Sequence, residues 1–374
     1  MSFFDCINAY TMNRTLLIAA CASLFTLCAP PQKETTSSDK PAPITEQPEQ
    51  EEEKLQTVAE FTTRPGNVAV SQEDRVFTTM HPLDPSDFQL VEVTGGTHRA
   101  FPNTDMQKNG GAASAEKLDT PLGIRIDQNN VLWIIDMGQN LGITRLFGFN
   151  IANGEEVFRL DFPEEVAPAG SFIQDLAVDE QNGWVFLADI ANPGILAVDM
   201  QQKTVRRFTD KTVEAEDVDM VIHEKVIHFG GAPARVAVNP ITLSHDRNTL
   251  FFGAMNGTQW YSVPTQLFRD AASDANIAAA IQVVGDKPIS DGAATDESGQ
   301  HYFTNLQEFG IDVLSPEGEL QPVIRDPSID WPDNVAVGSD GSLYIVINQL
   351  FKAPAFTGGA DAGKPPYFIK KLTR

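Results

Sequence analysis

A strand–turn–strand unit recurs six times between residues 66 and 348, and this repeat restricts the fold more than any other feature of the chain. Each copy has a small or polar residue, an alternating apolar strand, a polar turn and a second apolar or aromatic strand. The copies are Gly66–His81, Leu122–Asp136, Gln174–Asp189, Asn239–Asn256, Asp291–Asn305 and Asp333–Asn348. Their starts lie 56, 52, 65, 52 and 42 residues apart.

This period predicts an all-β fold, a six-bladed β-propeller with four-stranded blades, over residues 61–374. A repeat of about fifty residues leaves room for two further strands in each unit. Gly142–Pro163 and Gly194–Asp210 read as such outer hairpins. Two β-sandwich domains, the alternative architecture, would not explain why the unit recurs without a linker.

Two segments depart from the strand pattern. Val213–Gly231 is an insertion before the fourth copy, and its histidines in His223–His228 are spaced five apart, not four as in a helical zinc-protease motif. We therefore expect that stretch to be loop or strand. Thr265–Val284 is rich in alanine and predicts one helix on the rim of the propeller, with Thr265 as its cap.

The N-terminus predicts export. Residues 1–28 read as a signal peptide, with Met12 as an alternative start, because Thr15–Leu27 is an apolar run too short to span a bilayer. A cysteine ends this run, which is typical of a lipoprotein signal. Cys28 lies at the better distance from Met12, whereas Cys21 has the better small-residue pattern before it. A cytoplasmic protein with a frayed apolar tail is the alternative.

The composition and charge of the chain indicate its cellular environment and its classes of partner. Residues 29–60 are acidic and polar and predict a disordered linker. All three cysteines lie in the first 28 residues, so the folded part has neither a disulfide nor a thiolate metal site. The net charge of −24 repels phosphate backbones and argues against nucleic acid. We expect an extracytoplasmic monomer, secreted or held at the membrane only by a lipid anchor, with a small-molecule ligand.

Polar residues precede the first strand of several copies. In a propeller this strand lines the central channel, so the residues before it converge on one mouth of the channel. The positions are occupied by Asn239, Asp291 and Asp333, with Asp175 and Asn334 one place later. Oxygen atoms arranged around an axis suit a hard cation such as Ca²⁺, with Zn²⁺ as the other divalent candidate, or contact an organic ligand. Asp and Asn also favour tight turns, which is the structural alternative.

A second polar column closes the second strand of each copy. Its members are His81, Asp136, Asp189, Asn256, Asn305 and Asn348. We expect these side chains to hold blade to blade through hydrogen bonds, and ligand contact is the alternative.

Four segments resemble the major royal jelly and yellow protein family. They are Pro121–Asp136, Leu243–Asn256, Tyr261–Asp270 and Trp331–Leu350, which occur in the family's order, and the resemblance covers about residues 60–374. It implies a six-bladed propeller exported from the cytosol. For some members it also implies a link to dopachrome conversion.

The wider superfamily includes gluconolactonase-like lactonases, whose metal is held by a Glu, an Asn and an Asp at the inner-strand entries. Asn239 matches the Asn and Asp291 matches the Asp. The Glu falls at or near Gly66 and is missing, and Asp333 would have to replace it from a different blade.

Three functions follow as hypotheses. The first is a ligand-binding propeller with dopachrome-tautomerase-like isomerase activity, in which Asp291 and Asp333 are the catalytic acid and base. Two close carboxyl groups acquire different pKa values, as such chemistry requires. The second is a metal-dependent lactone hydrolase that uses Asn239, Asp291 and Asp333 as ligands. The third is a non-enzymatic scaffold that binds another envelope protein.

Overall fold

The protein is described here from a computed structural model, which defines residues 54–84, 86–107 and 112–374. Strand β1 (Leu55–Phe61) is the first element and belongs to the last blade. Blade 1 contains β2 (Pro65–Val70), β3 (Val76–Met80), β4 (Leu90–Thr94) and β5 (Thr97–Ala100). Blade 2 contains β6 (Pro121–Ile126), β7 (Val131–Asp136), β8 (Arg145–Asn150) and β9 (Glu156–Asp161). Blade 3 contains β10 (Ile173–Asp179), β11 (Trp184–Asp189), β12 (Gly194–Asp199) and β13 (Thr204–Phe208).

The later blades follow two short hairpins. These are β14 (Val221–Ile222) with β15 (Lys225–Val226), and β16 (His228–Phe229) with β17 (Ala232–Pro233). Blade 4 contains β18 (Val238–Leu243), β19 (Thr249–Ala254), β20 (Gln259–Pro264) and β21 (Gln282–Asp286). Blade 5 contains β22 (Ala293–Thr295), β23 (His301–Asn305), β24 (Gly310–Leu314) and β25 (Leu320–Arg325). Blade 6 contains β26 (Pro332–Val337), β27 (Leu343–Ile347), β28 (Tyr367–Leu372) and β1.

The structure confirms the all-β, six-bladed propeller. Every blade is an antiparallel sheet of four strands, and each predicted unit forms the first two strands of a blade. The inner strands contact one another in chain order, and β26 contacts β2, so the ring is closed. These strands are buried on both faces, and apolar side chains such as Phe186, Phe252 and Phe268 pack between neighbouring blades.

The first and last strands of the described part of the chain meet in blade 6. β1 pairs antiparallel with β28, from Leu55 opposite Leu372 to Phe61 opposite Tyr367. Most of β1 lies upstream of residue 61, in the segment that the sequence assigned to the linker. Leu55, Val58, Ala59 and Phe61 of β1 are nevertheless apolar, and Ala59 and Phe61 are buried. This strand covers an edge that would otherwise be open.

The predicted helix at Thr265–Val284 is wrong as a single element. The segment forms helices α1 (Gln266–Arg269) and α2 (Asp274–Ala280) and then enters β21. Ala271 has a positive φ of 52°, which ends the first helix. Ser273 caps the second by accepting from the Asn276 N–H, whereas the Thr265 hydroxyl donates to the Arg247 carbonyl.

The insertion and the loop after β27 cover one end of the channel. We call residues 213–236 and 350–357 the cap; they include the single-turn 3-10 helix Leu350–Lys352 and helix α3 (Pro354–Thr357), and a second 3-10 helix, Lys211–Val213, leads into them. Ile222, Ile227 and Leu350 pack together with Trp331 in one buried cluster. The prediction of loop or strand at His223–His228 is confirmed, because β15 and β16 occupy it. Within the described part of the chain, no helix is long and apolar enough to cross a membrane.

Candidate functional site

Asp291 lies at the centre of the polar ring that the sequence predicts. Its Oδ1 accepts hydrogen bonds from Gln174 Nε2 and Asn239 Nδ2, each at 2.6 Å, and its Oδ2 accepts from Trp331 Nε1 at 2.8 Å. The donors come from blade 3, blade 4 and the loop before blade 6. Asp291 is only 2% exposed, so the cap and these donors exclude solvent from it.

Asp333 receives fewer hydrogen bonds than Asp291. Its Oδ2 accepts from Asn348 Nδ2 at 2.7 Å, while its Oδ1 is buried and has no hydrogen-bond partner. The side chain is 1% exposed. A buried carboxylate oxygen without a hydrogen-bond partner destabilises the folded protein. Protonation of the carboxyl group removes the negative charge and so reduces this destabilisation.

Asp175 and Asn334 do not contact Asp291 through hydrogen bonds. Asp175 Oδ2 accepts from Arg125 Nη2 at 3.1 Å, and the same nitrogen donates to the Ala293 carbonyl at 3.1 Å. Arg125 therefore links blades 2, 3 and 5 across the channel. Asn334 Oδ1 accepts from the Val68 N–H at 3.4 Å and joins blade 6 to blade 1.

Burial raises the pKa values of the three carboxyl groups. It raises the pKa of Asp291 to about 7, against the effect of the three N–H donors, and the pKa of Asp175 to about 6, against the effect of Arg125. Burial, and then the charge of Asp291, raise the pKa of Asp333 well above its usual range. Three donors favour an ionised Asp291, and a single donor leaves the proton to Asp333. The environments thus favour opposite protonation states for the two carboxyl groups.

The metal set implied by the resemblance is not reproduced. Among the described residues, no group of three His, Cys, Asp or Glu side chains is placed to hold a metal ion. Both oxygens of Asp291 already accept N–H donors. A side chain at Gly66 would displace its neighbours, because its Cβ would lie 2.6 Å from Leu122 Cδ1. Asn239 Oδ1 and Asp333 Oδ1 are the oxygens of the predicted ligands that are buried without partners.

The second polar column holds loops within blades more than it holds blade to blade. Asp136 accepts from the backbone N–H of Asp119 and Thr120, and Asp189 accepts from that of Phe172. In each case the bonded loop enters the inner strand of the same blade. Asn348 does connect two blades, because its Nδ2 donates to the Pro65 carbonyl. The prediction was therefore wrong for Asp136 and Asp189, although it holds for Asn348.

Sequence reasoning missed three residues that organise the site: Gln174, Trp331 and Arg125. Gln174 occupies the same repeat position as Asp291, so the register contained a signal for it. Trp331 precedes the last inner strand, and Arg125 lies within an inner strand. Their contacts join residues 40 to 168 positions apart, which no local pattern reveals.

Solved structures share this architecture. A gluconolactonase from Xanthomonas campestris is 14% identical, with a TM-score of 0.52, over 85% of this chain and 89% of its own. A luciferin-regenerating enzyme is 9% identical, with a TM-score of 0.53, over 86% and 95%. The virginiamycin B lyase from Staphylococcus aureus, crystallised as an inactive variant with quinupristin, is 13% identical, with a TM-score of 0.51, over 86% and 99%. Such low identities show the fold alone.

No curated protein matches the chain significantly. A sequence profile of the family described as major royal jelly protein matches residues 120–356, which is more than half of the chain. The matched region runs from the start of blade 2 to the cap, and it includes Asp291, Asp333 and Trp331. The chain belongs to the major royal jelly protein family.

Proposed function

We propose that this propeller binds a small organic molecule at the capped end of its channel and shifts a proton within it, as a tautomerase-like isomerase. Asp291 is the general base and Asp333 the general acid. The observation that carries the proposal is the contrast between their environments, with three N–H donors on Asp291 and one on Asp333. The family resemblance supports this reaction class, because it implies a link to dopachrome conversion for some members.

The proposed reaction needs a substrate with a carbonyl group and an acidic hydrogen beside it. Ionised Asp291 takes the proton from that carbon, and the electron pair of the C–H bond moves toward the carbonyl. Protonated Asp333 gives its proton to the carbonyl oxygen, so an enol forms and both carboxyl groups change protonation state. Because Asp291 is 2% exposed, the substrate reaches it only when the cap moves.

The export of this protein belongs to the same proposal. The signal peptide and the candidate lipidation sites Cys28 and Cys21 lie outside the described residues. Secretion or lipid anchoring therefore remains a prediction from the sequence, and an organic substrate from outside the cytosol is consistent with it.

The test is an isomerisation assay on dopachrome, followed by ultraviolet and visible absorbance. We expect conversion by the wild-type protein, a loss of about a hundredfold or more in Asp291→Asn and a comparable loss in Asp333→Asn. Asp246→Asn is the matched control, because Asp246 lies in an exposed turn. The rate should rise with pH through about 7, where Asp291 ionises. Wild-type activity in Asp291→Asn would contradict the proposal.

A metal-dependent lactone hydrolase is the second candidate, and the unpartnered oxygens of Asn239 and Asp333 favour it. In this candidate function, a cation would replace N–H donors as a partner of the Asp291 carboxylate. Calorimetric titration of the wild-type protein and of Asn239→Leu with Ca²⁺ and then Zn²⁺ separates the two candidates. One-to-one binding that Asn239→Leu abolishes, together with chelator-sensitive lactone hydrolysis, would replace the isomerase proposal.

A further inference from the structure

The uncapped end of the channel contains a second cavity, of about 220 Å³. Residues of all six inner strands line it, toward the ends opposite to Asp291. Its apolar wall includes the larger Ile126 and Leu243 and several smaller side chains, among them Val68, Ala177, Ala294 and Ala336. A wider cavity of about 520 Å³ shares Val70, Arg247 and Thr295 with it and leads to solvent.

Arg125 separates this cavity from the buried carboxyl groups. One nitrogen, Nη2, holds Asp175 and the Ala293 carbonyl. Nε and Nη1 make no hydrogen bond to any described residue, although the side chain lines the cavity and is 18% exposed. An arginine side chain has five N–H donors in a planar fork, so two of its nitrogens remain available here.

The other charged groups that line the cavity are already neutralised or occupied. Arg247 holds both oxygens of Glu180 at 3.1 Å. Asp127 accepts from Trp133 Nε1 at 2.8 Å and from two backbone N–H groups. Arg125 is therefore the charged residue of this cavity with donors to offer, among those the structure describes.

A chain of hydroxyl groups lies on another wall. Thr242 Oγ1 and Thr295 Oγ1 are 2.7 Å apart, and Thr295 Oγ1 is 2.8 Å from His301 Nδ1. Thr242 and Thr295 both line the cavity. Burial lowers the pKa of His301 to about 4, so the ring is neutral at physiological pH and its hydrogen bond adds no charge.

We infer that the uncapped end is a second ligand site, which takes a small organic monocarboxylate on Arg125. One carboxylate oxygen accepts from Nη1, since Nη2, which both bidentate faces of the guanidinium share, already serves Asp175 and the Ala293 carbonyl, and the apolar body of the ligand lies against the alanines and Val68. Asp127, Glu180 and the net charge of −24 oppose a dianion such as phosphate, which favours a monoanion. This site does not depend on the isomerase proposed above.

The probe for the test is benzoate, with benzamide as the neutral analogue of the same shape. Binding to the full-length protein is measured by saturation-transfer NMR or by calorimetry. We expect benzoate to bind and benzamide to bind at least about tenfold more weakly, since the hydrogen bond from the guanidinium is stronger to a charged carboxylate than to a neutral amide.

Two identical substitutions at the same cavity give a matched pair. Arg125→Lys keeps the charge but leaves one nitrogen, which Asp175 and the Ala293 carbonyl already occupy, and we expect about tenfold weaker benzoate binding. Arg247→Lys is the same substitution at a residue whose Nε and Nη2 already donate to Glu180. We expect it to change benzoate affinity by less than about twofold. Equal effects of the two substitutions would overturn the proposal.

A blocking variant keeps the test decisive if Arg125→Lys does not fold. Val70 lines both cavities and is half-buried, so Val70→Trp fills the passage while Arg125 stays on Asp175. We expect this variant to keep its melting temperature within a few degrees and to lose benzoate binding. Unchanged benzoate affinity in a folded Val70→Trp variant, or equal affinity for benzamide and benzoate, would place the ligand elsewhere.

Discussion

Asp291 and Asp333 occupy the same repeat position in consecutive blades, yet their surroundings separate their roles. The difference comes from partners on other blades, because Asp291 receives Gln174 and Asn239 while Asp333 receives Asn348. The repeat register placed both carboxyl groups at the channel, as the structure confirms. It did not predict which one keeps the proton, since donors from distant segments decide that.

Replacing each carboxyl group by an amide should change the unfolding free energy differently at the two positions. Asp333→Asn resembles the protonated acid, so we expect unchanged or higher unfolding free energy at neutral pH. Asp291→Asn places an N–H group among three N–H donors, and we expect a loss of about 1–3 kcal/mol. Chemical denaturation at neutral pH measures both. A larger loss in Asp333→Asn than in Asp291→Asn would reverse the proton assignment.

The raised pKa of Asp291 makes the unfolding free energy depend on pH. Burial raises the folded-state pKa of Asp291 from 3.8 to about 7, so the folded protein binds more protons than the unfolded chain in that window. The contribution of Asp291 to stability is therefore present below the lower value and lost as pH rises to about 7. Denaturation from pH 4 to pH 8 should show this loss in the wild-type protein and a smaller loss in Asp291→Asn, whose amide cannot bind the extra proton.

At the scale of elements, the sequence predicted the two inner strands of each blade better than it predicted the outer strand of blade 4 and the cap. Each strand–turn–strand unit carries its own apolar pattern, whereas Gln282–Asp286 follows an alanine-rich helix without a break in the pattern. It becomes a strand because it pairs with Gln259–Pro264 at the edge of blade 4. The cap likewise depends on contacts that the chain makes only after folding.

The cap offers a prediction of its own. The ring of His223, at the tip of the first hairpin, lies 4.8 Å from that of Phe309 in the loop of blade 5. His223→Asn removes the ring and tolerates the positive φ of 50°. We expect faster amide hydrogen exchange in residues 218–236 and unchanged exchange in the inner strands. Lys225→Ala on the same hairpin is the control, and equal exchange in both variants would show that the ring contact does not hold the cap.

The whole molecule is a ring, and β1 and β28, the first and last strands of its described part, pair in blade 6. β1 supplies the outer strand of blade 6, where it pairs with β28 along its whole length. The boundary predicted at residue 61 would remove this strand. The apolar pattern in Leu55–Phe61 is short and follows a polar, acidic segment, which explains why the sequence alone assigned most of it to the linker.

Truncation tests the role of this pairing. A chain that begins at residue 62 lacks β1 and leaves the edge of β28 open, so we expect a lower melting temperature and concentration-dependent aggregation. A chain that begins at residue 54 should melt like the full-length protein. Equal melting temperatures for the two truncated chains, measured by scanning calorimetry, would show that the outer strand does not contribute to the stability of the ring.

The sequence by itself determined the propeller, its six blades and the position of Asp291 at the channel, because apolar alternation and repeat register are local properties that every copy displays. Tertiary structure decided which polar atoms meet. Trp331 on Asp291, Arg125 across the channel and the close packing at Gly66 each depend on neighbouring blades. Burial then set the protonation of the carboxyl groups, since desolvation acts only once the ring and the cap have excluded water.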